Sequence, residues 1–231
     1  MHLSPVALAK VATRFARQDC VSWEDLVSSA AEVVFFGSRA AGVNTSFSDL
    51  DVLFIGPSNR RVSRHLDMIW RDRRECESPN WLRSELATHV ARYGVWVVGE
   101  GHWRTEVRVG ERAIIQKARR IAKLAESLNT YWPKLHPDFR HKYLMMIRRE
   151  GQRLTILLEG NAVPPTPLLD QGWNLHDVTI KRWMYAMRSV ATGELCSRNR
   201  LLRTAHAATL PASALSALLK QDSLQLALYR K

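Results

Sequence analysis

The sequence predicts an α+β protein of two domains: residues 1–106 form a mixed β-sheet with packed helices, and residues 107–231 form an α-helical bundle. Three observations carry this. In the first half short apolar runs alternate with helical periodicity, the pattern of a sheet with helices laid against it. After Gly110 only helical spacing remains, so the domain boundary falls near Trp103 to Gly110. The charge divides at the same place. Residues 1–105 carry 13 Lys and Arg against 12 Asp and Glu, whereas residues 106–231 carry 21 against 10, a net of +11.

Taken in order, Ser4-Pro5 ahead of Val6, Leu8, Val11 and Phe15 reads as an N-cap and first-turn proline opening a helix to about Gln18. Ser22 with Asp25 three residues later starts a shorter helix through Leu26 and Val27. A strand follows over Glu32–Phe36, then a small polar turn from Gly37 to Gly42, then a second strand over Asp49–Ile55 ended by Gly56-Pro57-Ser58-Asn59. Arg60-Arg61-Val62-Ser63-Arg64 is a basic loop leading into a third strand, His65–Trp70. Pro79 opens a helix through Trp81, Leu82, Leu86 and Val90, and Gly94 begins a fourth strand, Val95–Val98.

In the second half Ile114, Ala118, Ile121, Ala125 and Leu128 recur every three or four residues, with Lys117, Arg119, Arg120 and Lys123 mostly off that stripe. Pro133 and Pro137 separate this helix from one over Asp138–Leu158, and a proline-rich loop follows at residues 160–167. Three shorter helices are expected at about 176–191, 199–208 and 212–229. The pairs Arg119-Arg120 and Arg148-Arg149 read as solvated helix faces.

Composition narrows the classes. Hydrophobic content of 46% with 24% charged residues suits a globular protein, and no apolar run approaches a membrane span. No membrane partner is expected. Met1–Pro5 lacks the basic head and apolar run of a secretory signal, so the reading is cytoplasmic. Cys20, Cys76 and Cys196 are odd in number and scattered, which suits reduced thiols rather than a disulfide framework or a zinc site. The basic second half favours polyanions such as nucleotide phosphates or RNA.

The chemistry concentrates between the first two strands. Side chains alternate along a strand, so Asp49 and Asp51 point one way and Leu50 and Val52 the other; two carboxylates on one side suit a divalent cation. Nucleotidyl transfer needs positive charge where phosphate oxygens collect negative charge, and two metal ions about 3.5–4 Å apart, bridged by carboxylates, supply it. The Gly37-Ser38 turn offers backbone N–H groups and a hydroxyl to a triphosphate tail, with glycine permitting close approach. Arg39 can add a charge-assisted bond to a phosphate. A third carboxylate, Asp67, would come beside the first two if the third strand neighbours the second. Asp72, Glu75, Glu77 and Glu85 are its rivals.

Gly37 and Ser38 after an apolar strand, a ten-residue spacer from Arg39 to Ser48, and Asp49-Leu50-Asp51 on the next strand, with Ser48 just ahead of Asp49, together resemble the nucleotidyltransferase superfamily related to DNA polymerase β. The resemblance implies that Asp49 and Asp51 bind catalytic Mg²⁺ ions, two in number, and that Ser38 touches the phosphates of ATP or another NTP. It implies a third acid on a following strand, best matched by Asp67, as metal ligand or as general base toward an acceptor hydroxyl.

A second resemblance covers about forty residues. Tyr185–Arg198, which contains Thr192-Gly193, and then Leu210-Pro211 are similar to the closing helices of aminoglycoside adenylyltransferases of the streptomycin and spectinomycin class. There a basic residue shortly after Thr-Gly reaches the ATP phosphates. Arg198 stands near that place, where the family more often has Lys. Asp177 is the nearest match to that family's acceptor-binding acids, and Trp173 and Trp183 read as core or as stacking surfaces.

Three functions are therefore expected, in this order: an Mg²⁺-dependent adenylyltransferase acting on a small-molecule hydroxyl such as an aminoglycoside's, with release of pyrophosphate; a nucleotidyltransferase modifying RNA or a protein side chain, as in toxin–antitoxin pairs; and a non-catalytic nucleotide-binding module.

Overall fold

The structure is a computed structural model and describes residues 3–46, 48–57, 62–131 and 134–170. The expected helices at 176–191, 199–208 and 212–229 lie outside the described residues, as do Arg198, Asp177, Trp173 and Trp183. The chain divides into two compact units. One joins Met1–Gly110 to Ala162–Gln171, and the described part of the other is Glu111–Asn161.

Helix α1 spans Pro5–Gln18 with Ser4 accepting from the Ala7 N–H at 3.2 Å, and α2 spans Trp23–Ser28 with Ser22 accepting from the Asp25 N–H at 3.1 Å. Both starts follow from side-chain oxygens satisfying orphan amides of the first turn. Strand β1 is Glu32–Phe36, and one helical turn, α3, follows at Gly37–Ala40. Strand β2 is Leu50–Ile55, so Asp49 stands just before the ladder rather than within it. Strand β3 is Leu66–Arg71 and β4 is Val95–Val98.

The sheet order is β3-β2-β1-β4, with β1 antiparallel to both of its neighbours and β2 parallel to β3. The mixed sheet with helices packed against it is the α+β arrangement expected of the first half. Alternation along the strands separates two cores. Val33, Phe35, Leu50, Val52 and Phe54 are buried with Leu8, Phe15, Trp23 and Leu26 from α1 and α2. On the other face Val34, Phe36, Leu53 and Ile55 join Cys76, Trp81, Ala87, Val90 and Trp103. Stacked rings reinforce the first core, with Phe54 and Trp70 centred 4.4 Å apart.

The single helix expected from Pro79 through Val90 is instead two, preceded by a further one. Helix α4, Arg73–Glu77, opens on a capping box in which Asp72 and Glu75 each satisfy the other's amide. Helix α5 is Pro79–Leu82, and α6, Glu85–Tyr93, restarts at Ser84, which accepts from the Ala87 N–H at 3.1 Å. The apolar period continues across the break because Trp81 and Val90 face one core; periodicity alone hides the new cap. Asp72 and Glu75 are thereby occupied in a helix start.

In the second unit α7 spans Glu111–Tyr131 and α8 spans Pro137–Leu158. Ile114, Ala118 and Ile121 are buried on α7, and Ile147, Leu154 and Leu157 on α8. Lys117, expected mostly off the apolar stripe, and Arg148, read on a solvated face, both prove to be buried. Lys117 donates to Glu150 at 2.7 Å. Glu150 also takes Arg153 at 3.1 Å and Arg120 at 3.8 Å, so a buried carboxylate is matched by cations from both helices. No described helix is long and apolar enough to cross a membrane. After α8 the proline-rich stretch rejoins the first unit, where Val163, Pro165 and Leu169 are buried and α9, Thr166–Asp170, packs beside α3.

A polar clamp fixes the approach to β3. Asp19, whose side chain is only 8% exposed, accepts from the Ser63 hydroxyl, from the Arg64 N–H at 2.8 Å and from the His65 N–H at 3.2 Å, and pairs with the His65 ring. The Ser63 bond first, followed by the Arg64 and His65 bonds, holds its carboxyl down at about 2. A depressed carboxyl contributes stability above its unfolded value near 4 and loses it as the pH falls through 2. Asp19→Asn should therefore lower the Tm at pH 7 by a few degrees, with the gap to wild type closing between pH 4 and pH 2. Thermal melts across that window check it.

Candidate active site

The strand register lines the acids up. Phe36 on β1 faces Asp51 on β2, and Asp51 faces Asp67 on β3. Because Asp51 alternates with Val52 and Leu50, it lies on the sheet face shared by Leu53 and Ile55, and Asp67 lies on the same face by its parallel pairing. Asp51 is half-buried, whereas Asp49 and Asp67 are exposed at the rim. Burial first, then the charges of Asp67 and Asp49, push the Asp51 carboxyl up to about 7. Asp51 therefore feels both of the other acids.

Gly37 closes the site from β1. It has φ +74°, and a Cβ there would stand 1.9 Å from Asp51 Oδ2, so only glycine lets the turn lie against that carboxylate. Its N–H donates to His89 Nε2 at 3.3 Å. That amide is occupied by a side chain, which leaves the N–H and hydroxyl of Ser38 as the turn's remaining donors. The Ser38 hydroxyl has no hydrogen-bond partner among the described residues, while its carbonyl accepts from the Val43 N–H at 3.0 Å.

Arg39 is engaged in holding the fold. Its Nε donates to the Ser48 carbonyl at 2.7 Å, and its guanidinium lies 5.0 Å from the Phe15 ring centre. Burial, followed by the charge of Arg14, lowers its pKa, while Asp49 acts the other way. Arg39 thus braces the residue preceding Asp49. Ser48 completes the brace by accepting from the Thr45 N–H at 3.0 Å. Of the sequence-derived set, the structure gathers Gly37, Ser38, Arg39, Asp49, Asp51 and Asp67 at one end of the sheet; Arg198 lies outside the described residues.

His89 belongs to this neighbourhood and was not singled out from the sequence. The available signal was slight: a ring that falls three residues after Leu86 and four before Tyr93, on the same helical stripe.

Among the described residues no three His, Cys, Asp or Glu side chains are drawn together into a ready-made metal cage. The donor set itself, oxygen-only and acidic, with one half-buried carboxyl raised by two neighbours, fits a hard divalent cation of the Mg²⁺ type.

Residues 20–127 match the family model of the nucleotidyltransferase domain, a span that takes in all four strands and reaches into α7. The match supports the nucleotidyltransferase superfamily and, with it, a transferase. Comparison with curated proteins gives no match.

Two outcomes follow from this geometry. An acid raised to about 7 makes the cation-free protein lose stability as the pH climbs from about 4 to 7. In chelator at pH 8, Asp51→Asn should then melt higher than wild type, by about 1–2 kcal/mol or roughly 3–6 °C after allowance for screening at a half-buried group. The advantage should vanish near pH 4, and thermal melts in buffered chelator read it. Gly37→Ala, by contrast, should lower the Tm and remove cation-dependent nucleotide binding, because strain at positive φ adds to the collision with Asp51. Melting and equilibrium nucleotide titration test both effects.

Proposed function

We propose that the protein is a Mg²⁺-dependent nucleotidyltransferase that moves NMP, with AMP from ATP the preferred case, onto an acceptor hydroxyl and releases pyrophosphate. One observation carries the reading: Asp51 and Asp67 stand side by side across parallel strands at the end of the sheet where the Gly37-Ser38 turn begins.

In this reading Asp49, Asp51 and Asp67 would hold the metal. Bound Mg²⁺ supplies the positive charge that offsets charge growing on the phosphate and leaving-group oxygens. Ser38 donates its free hydroxyl and its amide to the triphosphate, and Arg39 keeps the Asp49 loop in place through Ser48. Asp67, exposed at the rim, serves either as the third metal ligand or as the base that accepts the proton of the acceptor hydroxyl. The acceptor oxygen bonds to the α-phosphorus, the bond to the bridging oxygen breaks, and pyrophosphate departs with that electron pair.

The acceptor proposed first is a small molecule such as an aminoglycoside, on the resemblance of Tyr185–Arg198 to the adenylyltransferases of that class, with Arg198 meeting the ATP phosphates. The net charge of +11 on residues 106–231 favours a second acceptor class, the hydroxyls of RNA or of a protein side chain. Retention of all three acids argues for catalysis over nucleotide binding alone.

Incubation with Mg²⁺ and α-labelled NTPs against an aminoglycoside panel, tRNA and a lysate protein pool tests this directly. Label is expected on one acceptor class, and its absence from all of them overturns transfer. Label confined to RNA or protein overturns the small-molecule acceptor. Asp49→Asn combined with Asp51→Asn should reduce transfer by at least about 10²-fold with the fold retained. Unchanged turnover in that variant would exclude the metal-site assignment.

A further inference from the structure

The Gly37 amide and the carbonyl of Val163 lie 126 residues apart in sequence, yet one ring joins them. His89 Nε2 stands 3.3 Å from the Gly37 nitrogen, and His89 Nδ1 stands 2.7 Å from the Val163 oxygen. A backbone N–H can only donate and a carbonyl can only accept, so the pair of contacts fixes the ring's protonation: Nε2 bears the lone pair and Nδ1 the proton. The ring is held edge-on to Phe36, 6.0 Å between centres, and tilted against Tyr93 at 5.3 Å. Phe36 in turn immediately precedes Gly37.

The turn is thus confined on two sides. Asp51 leaves no room for a Cβ at Gly37, and His89 takes the amide hydrogen. Rotation of the Gly37 peptide would swing Ser38, the next donor, away from where it stands. The same ring ties the turn to the returning segment, in which Val163 is buried and α9 packs beside α3. A four-residue helix leaves its first N–H groups without a partner inside the helix, so the Gly37 amide must find one elsewhere.

We propose that His89 is a positioning residue for the nucleotide phosphates, orienting the Gly37-Ser38 turn and anchoring it to the segment around Val163. The role rests on the nucleotidyl-transfer reading above, although the tether itself does not.

Full-length wild type, His89→Leu and His89→Gln decide it. Glutamine carries an acceptor and a donor on one planar group and can make both contacts; leucine makes neither. With the acceptor identified by labelling, His89→Leu should raise the KM for nucleotide roughly tenfold and leave the KM for the acceptor unchanged, and His89→Gln should restore the nucleotide KM to within about threefold of wild type. Equal nucleotide KM values in all three proteins, or glutamine no better than leucine, would overturn the role. If leucine prevents folding, the comparison of wild type with His89→Gln stands by itself, and a tenfold rise in that variant counts against the proposal. Imidazole ¹⁵N shifts and Gly37 amide exchange separate this from failure of the transfer reading. A protonated Nδ1, a bare Nε2 and a slowly exchanging Gly37 amide support the tether even if no acceptor is labelled, whereas the opposite tautomer or a fast amide overturns it.

Discussion

Everything at the acid-bearing end of the sheet is arranged around one costly placement, a half-buried aspartate flanked by two others. Water would solvate such a carboxylate far better than this site does, and Asp67 and Asp49 make the deficit worse. An arrangement so unfavourable on its own persists because the rest of the sheet is firmly determined. Leu50, Val52, Leu53 and Phe54 are fully buried on two faces, so β2 can neither slip nor rotate without exposing a core. Asp51 is carried into position by its neighbours' hydrophobicity. A cation brought in with the proposed nucleotide would relieve the repulsion, which would tie the site's electrostatics to that substrate.

The surrounding polar contacts have a shared purpose: they fix loops that no ladder holds. Asp19 binds the residues entering β3, Arg39 binds the residue before Asp49, and His89 binds the turn leaving β1. Each of these three side chains stands next to one strand that carries or borders an acid. The carboxylates therefore inherit their positions from strands on one side and from side-chain tethers on the other. This division suits a reaction whose demands are positioning and electrostatic stabilisation rather than covalent participation of the protein.

Much of this was legible locally. The strands from Glu32, Leu50 and Val95 announce themselves as short apolar runs bounded by turn residues and the one from Leu66 by loose alternation, while Gly37-Ser38 with Asp49 and Asp51 marks the candidate site by spacing. Asp67 became readable only through the condition that β3 lie beside β2, which the parallel register meets. What stayed hidden depends on partners distant in the chain. The break at Ser84 leaves the apolar period intact, so a cap inside one stripe cannot be told from continuation. Lys117 and Arg148 look like surface residues until Glu150 and the facing helix are known. His89 and Val163 are separated by 74 residues, and nothing in either neighbourhood announces the other. Arg39 reads from the sequence as a phosphate ligand, and its further contacts, Nε to the Ser48 carbonyl and the guanidinium against Phe15, become visible only in the folded chain.

The central claim is that Asp49, Asp51 and Asp67 form one electrostatic unit completed by a divalent cation and a nucleotide. Carboxyl ¹³C NMR of the aspartate-labelled protein, titrated with and without Mg²⁺ and a non-hydrolysable NTP analogue, addresses it most directly. The account predicts an Asp51 carboxyl that titrates near 7 without cation and shifts well below that when both ligands are added, with Asp49 and Asp67 perturbed in the same step. An Asp51 that titrates like an ordinary carboxylate, together with three resonances unmoved by Mg²⁺ and nucleotide, would contradict it.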